Sequence, residues 1–517
     1  MSTEYRWIPI LRVCHTWRKI AFDTPRLWTT FELPKPAFVA QCLARSGALP
    51  LNILTSCVNP TNKHSLWSLA MALHHLPRIR TLQISSSTDR RLLLQDPRWA
   101  VEGLEASMLE EIHLTAVGEV GVDRHPLCAI KMPLLKILTV RGGPFSTVQS
   151  LARATVTNLD LFLFEDAPLS QLLQVINGLP ALTRLRLDDV CGDAQPPGNT
   201  PGAFVITTQG LQCLKYLFIR NHTPFATGAL FQHFRIPAHT NVGLYSHADL
   251  AVDDVSTIIP PIGERIFSPL QAPRPDDTAT RLRLRSLKFD CIQSKYGLGL
   301  GAPARVLFGV VSWTYEVSEK VLRGSRRHTH IESAKFSLEL FIPRPTFSLD
   351  VFVDRLLVQS GLGDITSFVF TCNAFLIVPD SWKALFAAMP KLRFLCLERD
   401  TLRAFVRYHN VANTSTLLYP SLQRMKVADA IFSSSQHPNV DDLLSKFVDA
   451  LTTLKSQGLR LDRLELERPV NLGDDGLHRL RGVGSANEVV ISEASDLRAE
   501  SGDDWQSDDE DESTNRV

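Results

Sequence analysis

The chain has 517 residues, 44% hydrophobic and 21% charged, which is ample apolar material for a packed core and excludes disorder over most of its length. Its formal net charge of +1 gives no overall pull toward nucleic acid, although the final stretch is so rich in carboxylates that the remainder is mildly basic. Nine scattered cysteines, an odd number with no C-x-x-C pair, argue against a disulfide framework and for reduced thiols in cytosol or nucleus. The start MSTEYRW lacks a signal-peptide pattern and no apolar run approaches about 18 residues, so neither secretion nor a membrane span is expected.

From Trp7 to Leu33 the sequence is WIPILRVCHTWRKIAFDTPRLWTTFEL. Ile10, Val13, Cys14, Trp17, Ile20 and Ala21 recur at the spacing of one helical face, with Arg12, Arg18 and Lys19 opposite, which predicts a short amphipathic helix. Thr24 and Pro25 form a helix-start signal, because proline at the first helical position gives up no needed N–H. The turn that follows carries Leu27 and Trp28, and the two indoles of this stretch, Trp17 and Trp28, are both expected to be buried.

Pro34 and Pro36 break the chain, and a helix, a stop at Gly47 and an apolar strand from Leu49 to Thr55 follow. Strands written L-x-x-L-x-L, or close to it, come next at Ile79 to Ile84, Leu109 to Leu114, Leu135 to Val140, Asn158 to Leu163, Leu182 to Leu187 and Leu214 to Ile219. Their starts lie roughly 23 to 32 residues apart, within or just above the period of leucine-rich repeats. The pattern continues at Leu284 to Phe289, Ile365 to Phe370, Leu392 to Leu397, Leu422 to Val427 and Leu461 to Leu466. Helical spacing fills several gaps, in SLWSLAMALHHLP, LSQLLQVINGLP, DVFVDRLLVQSG, SWKALFAAMP and VDDLLSKFVDALTTLKSQG. One such strand cannot bury its leucine face alone; parallel neighbours beside it and helices behind it can.

The expected fold is therefore α/β, a solenoid with parallel strands on its concave face and helices on its convex face, running over residues 34–490 with insertions near 191–205, 240–281 and 296–345. Cys191 to Gly202 and Ser268 to Arg281 read as loops, and within 296–345 the segments VLFGVVSWTYEV and AKFSLELFI read as strands whose register the sequence does not fix. Residues 491–517 hold almost no apolar groups and read as a disordered acidic tail, with Ser507 and Ser513 beside acids as candidate phosphorylation sites.

Val13, Cys14, Trp17, Arg18, Ile20, Ala21, Thr24, Pro25, Leu27 and Trp28 spell V-C-x-x-W-R-x-I-A-x-x-T-P-x-L-W. This resembles the C-terminal half of the F-box of fungal F-box proteins, especially those of mushroom-forming fungi. Ala44 to Ile53, A-R-S-G-A-L-P-L-N-I, resembles the segment that follows the F-box in that group, ahead of degenerate leucine-rich repeats. In the family a helix of the type L-P-x-E-(I/L)-L-x-x-I-F precedes the motif; here MSTEYRW stands before it, so residues 1–33 are expected to form only part of an F-box. The resemblance implies that Ile10, Val13, Cys14, Trp17, Ile20, Pro25, Leu27 and Trp28 shape a docking site for a Skp-type adaptor of a cullin-RING ubiquitin ligase while the solenoid selects a protein substrate. The alternative is a free-standing repeat scaffold that has lost adaptor binding.

Enzyme signals are weak. Gly297, Gly299 and Ala302 match G-x-G-x-x-A, but Pro303 follows at once and no βαβ unit surrounds them. His74 and His75 have no Cys or carboxylate at ligand spacing, so no metal, cofactor or catalytic residue is expected. The run Arg323, Arg326, Arg327, His328 and His330 reads as a solvated loop, and the sequons at Asn221 and Asn413 as chance matches. Side chains between the leucines alternate toward the concave face, which makes Gln83, His113, Arg184, Arg186, Lys215, Arg393, Arg424 and Glu465 the candidate partner-binding residues. No nucleic acid or membrane partner is expected.

Overall fold

The computed structural model describes residues 8–32, 36–54, 63–86, 105–116, 126–164, 167–191, 211–221, 230, 234, 236–237, 239–246, 286–294, 305–313, 336–343, 362–372, 379–398, 401–411, 418–432 and 443–492. The expected helix over 350–361, the loop over 268–281, the G-x-G-x-x-A segment, the basic run and residues 493–517 of the acidic tail lie outside the described residues; Ile491 and Ser492, expected to open the tail, instead end a strand, Ala486–Ser492. The chain divides into two compact units, Met1–Ile266 with Lys335–Leu340, and Phe267–Ala334 with Phe341–Val517. The architecture is α/β, with parallel strands in two sheets and helices between them in sequence.

In the first unit nine strands lie side by side in chain order, each parallel to the next. They are β1 (Thr30–Glu32), β2 (Leu51–Leu54), β3 (Ile79–Ser86), β4 (Glu111–Ala116), β5 (Ile137–Arg141), β6 (Asn158–Phe164), β7 (Arg184–Val190), β8 (Tyr216–Asn221) and β9 (Asn241–Ser246). Residues Phe336 to Leu340 of a later strand, β12 (Phe336–Pro343), run parallel to β9. Among the described residues the helices of this unit are α1 (His15–Phe22), α2 (Pro36–Arg45), α3 (Lys63–Leu73), α4 (Phe145–Leu151) and α5 (Leu169–Asn177). Strand alternation sorts the side chains: Ile112 and Leu114, Leu138 and Val140, Leu159 and Leu161, Leu185 and Leu187, Leu217 and Ile219 are all buried. On α5 the buried stripe is Leu172, Leu173, Val175 and Ile176.

The first leucine of several motifs lies just outside the strand that the sequence assigned to it, although Ile79 and Leu461 begin theirs. Leu109, Leu135, Leu182 and Leu214 precede their strands by two residues, are buried, and donate a backbone N–H to the carbonyl three residues back, at 2.9–3.4 Å. The next two N–H groups then share one carbonyl of the preceding turn: Lys136 and Ile137 on Glu110, Thr157 and Asn158 on Lys136, Thr183 and Arg184 on Thr157, Lys215 and Tyr216 on Thr183. At the other end of the strands the backbone turns out through left-handed residues on one rung, Gly142, Leu163 and Asp189, at φ of 68°, 58° and 55°. Only glycine adopts that conformation without steric cost.

In the second unit β10 (Ser286–Ser294) pairs with β11 (Arg305–Trp313) in antiparallel register, a reversal that the expected all-parallel sheet does not contain. The sequence reading found strands here but no register, because periodicity alone carries no direction. On its other side β10 is parallel to β13 (Ser367–Cys372), followed in order by β14 (Phe394–Glu398), β15 (Arg424–Ala428), β16 (Leu461–Glu467) and β17 (Ala486–Ser492). The helices are α6 (Pro379–Ala387), α7 (Thr401–Val411), α8 (Leu443–Ser456) and α9 (Asp474–Val483). Leu443, Phe447, Ala450, Leu451 and Leu454 form the buried stripe of α8, and Gly484 caps α9 in the left-handed conformation.

Trp382 of α6 centres the aromatic core of this unit, with ring centroids of Phe370, Phe386 and Phe405 at 5.6, 4.9 and 6.0 Å. Its indole N–H donates to the Tyr419 hydroxyl at 2.7 Å, and the same hydroxyl lies 3.2 Å from His409 Nε2. The Trp382 N–H, the Tyr419 hydroxyl and His409 Nε2 are thus satisfied by one another in the core. Burial pushes the Tyr419 hydroxyl well above its ordinary pKa and pulls His409 from 6.5 to about 3. His409 is therefore neutral in the folded chain at pH values where it would be protonated when unfolded. Its contribution to stability is complete above pH 6.5 and falls as the pH drops toward 3. Urea unfolding between pH 7.5 and pH 5 is expected to show a loss of about 2 kcal/mol from this group, and the His409→Gln variant should show a pH slope flatter by that amount.

Candidate functional site

The N-terminal segment is held at one point and open along another. A 3-10 turn, Ile8–Arg12, leads to Cys14, which caps α1 by accepting from the Trp17 N–H at 3.5 Å, and Arg18 Nε donates back to the Leu11 carbonyl at 2.8 Å. After α1 the Thr24 hydroxyl donates to the Ile20 carbonyl, and Pro25 opens the next 3-10 turn, Pro25–Trp28. Trp28 is fully buried, with its indole N–H on the Ala21 carbonyl at 2.8 Å and the Phe22 ring 5.8 Å away. The Arg45 guanidinium of α2 lies over both rings, 3.9 Å from Phe22 and 5.2 Å from Trp28. Trp28 and Ala21 anchor this segment.

The expected burial of both indoles holds for Trp28 and fails for Trp17. Val13, Trp17 and Ile20 are 66%, 52% and 51% exposed. Trp17 and Ile20, three residues apart, lie on one face of α1, whereas Val13 precedes the extended cap residue Cys14 and stands outside the helix; Arg12, Arg18 and Lys19 are exposed beside them. A helix of eight residues offers one narrow side to the rest of the unit, and Ala21 takes it. Leu27 is partly buried and Pro25 exposed; Ile10 belongs to the first 3-10 turn, and its side chain is outside the described ones.

A second set of candidates sits on the strands. Because β3 to β9 pair without a register slip, equivalent positions line up across the sheet. One row runs Gln83, His113, Thr139, Asp160, Arg186, Phe218, Gly243, and so collects three of the predicted residues. Arg184 falls in the neighbouring row with Asn158 and Tyr216. Lys215 does not join the rows: it precedes β8, where its backbone bridges Thr183 and Asn241. Arg393 holds the equivalent place before β14, and Arg424 lies in a row with Phe394, whose ring is 5.4 Å from its guanidinium.

A third row, Arg141, Phe162, Asp188, Arg220 and Tyr245, was not expected, because Arg141, Asp188 and Arg220 lie one residue past the end of their motifs, in strands that run on, and Tyr245 lies on a strand without the motif. Arg186 Nη2 donates to Asp188 Oδ2 at 3.1 Å, and Arg220 Nε is 3.6 Å from Asp188 Oδ1. The Arg186 guanidinium sits 4.8 Å from the Phe162 ring centre and 4.8 Å from that of Phe218, and Phe218 lies 4.9 Å from Tyr245. Burial pushes the Asp160 carboxyl above its ordinary pKa, opposed by the charges of Arg184, Arg186 and His113. Asn221, one of the two sequons, is buried in β8 with its side-chain oxygen accepting from the Val190 N–H.

In the second unit the corresponding face is paired off internally. Lys426 is 5% exposed, with Nζ 2.9 Å from Glu465 Oε1 and in contact with Glu467. Arg463 reaches Glu465 and Glu488, Arg468 reaches Asp429 and Glu467, and Thr371 donates to buried Glu398 at 2.8 Å. Glu465, predicted to face a partner, is thus engaged by two cations of its own sheet.

Among the described residues no group of three or more His, Cys, Asp or Glu could hold a metal ion, and no helix is long and apolar enough to cross a membrane. His75 is held below its ordinary pKa by burial and by the charges of Arg78 and His74. Burial pushes the thiols of Cys42 and Cys191 up to about 12, so they serve as small apolar groups. No protein-family model matches the sequence, and no curated protein matches it.

Removing the buried cation of the second face leaves carboxylates with reduced compensation, whereas an exposed pair is worth little. Lys426→Met should lower unfolding free energy by about 3 kcal/mol; Lys391→Ala, which breaks the exposed 2.5 Å pair with Asp364, should cost under about 1 kcal/mol in the same denaturant titration.

Proposed function

We propose that this chain is a substrate-recognition subunit of a Skp-cullin-F-box type ubiquitin ligase. In this reading the segment over 8–32 is the adaptor-docking part of an F-box, and each sheet with its helices is a leucine-rich-repeat solenoid whose polar rows meet a protein substrate. The chain itself carries out no catalysis, and its place of work is the cytoplasm or nucleus.

The observation that carries the reading is the outward stripe of Val13, Trp17 and Ile20 on a segment anchored elsewhere by Trp28. Two large apolar side chains on one short helix, with Val13 just before its cap, lose free energy by facing water, at about 25 cal/mol per Å² of apolar surface, and regain it against a partner. These are the positions at which the sequence resembles the F-box. Arg18 and Lys19 alongside give the stripe a basic rim. Reading the sheets as repeats is supported by sequential parallel strands whose shared carbonyls and buried leucines fall at equivalent sites.

The test is capture of a purified Skp-type adaptor by the full chain. Trp17→Ala combined with Val13→Ala should weaken capture at least tenfold, equal to about 1.4 kcal/mol, while unfolding free energy stays within about 0.5 kcal/mol. Trp28→Ala should instead cost about 3–5 kcal/mol of stability. A folded chain that captures no adaptor would remove ligase coupling and leave a free-standing interaction scaffold.

A further inference from the structure

The face formed by β5 to β9 in the first unit carries more arginines than carboxylates. We infer that it binds an extended acidic peptide segment of a partner protein, one that carries an aromatic side chain among its carboxylates. This rests on the reading of the strand rows as a recognition surface and adds the chemistry of what is recognised.

The charges on this face are unequal in number and in depth. Arg141, Arg184, Arg186 and Arg220 stand on it against Asp160 and Asp188. The Arg184, Arg186 and Arg220 side chains are 43%, 33% and 39% exposed, whereas those of Asp188 and Asp160 are 9% and 21% exposed. The carboxylates lie low and steady the arginines, whose guanidinium groups reach outward. A guanidinium has five N–H donors, and the bond from Arg186 Nη2 to Asp188 uses one of them. The cations therefore exceed the anions exactly where a ligand would arrive from solvent.

Arg186 is also fixed in orientation. Its guanidinium lies between the half-buried rings of Phe162 and Phe218, and Phe218 continues to Tyr245. A planar fork already immobilised between rings loses less entropy when a carboxylate takes it, and the exposed ring of Tyr216 in the adjacent row adds an apolar surface for an aromatic side chain. The second unit provides the contrast in number: Lys426, Arg463 and Arg468 meet Asp429, Glu465, Glu467 and Glu488, so the carboxylates in those pairs are not outnumbered.

A peptide fits this face better than a nucleic acid. Among the described residues the basic area spans these strands, and toward β4 it ends at Glu111, next to His113 at 3.8 Å, with Glu110 close by, paired with Arg80 and Lys136. A phosphate backbone continuing across the sheet would meet those carboxylates, while a short acidic segment ends before them.

The experiment is fluorescence anisotropy of the full chain, without adaptor, against a labelled peptide of Asp and Glu residues around one Trp. A peptide with every acid replaced by Lys is the control, and a single-stranded RNA oligonucleotide is the competitor. The acidic peptide is expected to bind at least tenfold more tightly than the control and to weaken as salt rises. Arg186→Gln with Arg220→Gln should lower its affinity at least tenfold. Arg141→Glu, which leaves the ring stack intact, should lower it several-fold with an unchanged unfolding midpoint, and Arg463→Gln in the second unit should have no effect. Equal binding of the acidic and control peptides, affinity unaltered in Arg141→Glu and in the double variant, or tighter binding of the RNA would each overturn the inference. Because no adaptor is present, its failure is separate from a failure of adaptor capture.

Discussion

Both sheets depend on one backbone interaction: a carbonyl at the turn before each strand that accepts two successive N–H groups from the next turn. Glu110, Lys136, Thr157 and Thr183 do this in the first unit, and Thr366, Arg393 and Gln423 in the second. No turn satisfies these donors by itself; each requires the turn before it to be in place. Threonine at these sites adds hydroxyl bonds to the same joint, from Thr157 to the Lys136 carbonyl at 3.2 Å and from Thr183 to the Thr157 carbonyl at 3.0 Å. Leu109, Leu135, Leu182 and Leu214 in the first unit, and Leu392 and Leu422 in the second, are buried two residues ahead of their strands, so the hydrogen bonds and the apolar contacts form together there.

The joint also sets what the exposed face can do. Fixing one residue of every turn against its neighbour fixes the register of the strand that follows, and equivalent side chains then stand about 4.8 Å apart along a row. At that distance residues far apart in sequence become a single electrostatic system. Asp188 is held by Arg186 of its own strand and by Arg220 of the next, and Lys426 sits between two glutamates of the following strand. One kind of backbone joint thus supports an arginine-rich face in the first unit and an internally paired one in the second.

The leucine motif made most strands legible, since L-x-x-L-x-L can bury its apolar side in few other ways. It misplaced their ends, because its first leucine belongs to the turn and the strands run on past its last. Whole strands were missed where that signal is weak: Thr30–Glu32 has three residues, Asn241–Ser246 contains Gly243, and Ala486–Ser492 carries two exposed positions at its start. The candidate residues divided along the same line. Gln83, His113, Arg184, Arg186, Arg424 and Glu465 fall inside strands and reach the rows, whereas Lys215 and Arg393 precede theirs and serve the joint with their backbones. At the N-terminus, helical spacing identified the apolar stripe but not its direction, because periodicity groups side chains onto a face without saying what that face meets. Ala21 and Trp28 turn inward there, and Val13, Trp17 and Ile20 are left outside.

The outward positions of a strand in such a sheet are under weak structural demand, since the joint and the leucines hold the strand without them. Charges placed there are therefore held by one another or by something outside the chain. In the second unit buried Lys426 takes part in a network whose loss would expose its partners to uncompensated repulsion, so those residues have a structural use. In the first unit the recessed aspartates and flanking rings orient arginines whose outer surfaces face solvent, and the fold gains little from holding a guanidinium between two half-exposed rings. Orientation of that kind contributes most when a ligand of opposite charge arrives, because the entropy of aligning the fork has already been lost on folding. The same reasoning applies to Trp17: a side chain that the fold does not need, kept large and apolar on an anchored helix, is accounted for by a partner that covers it.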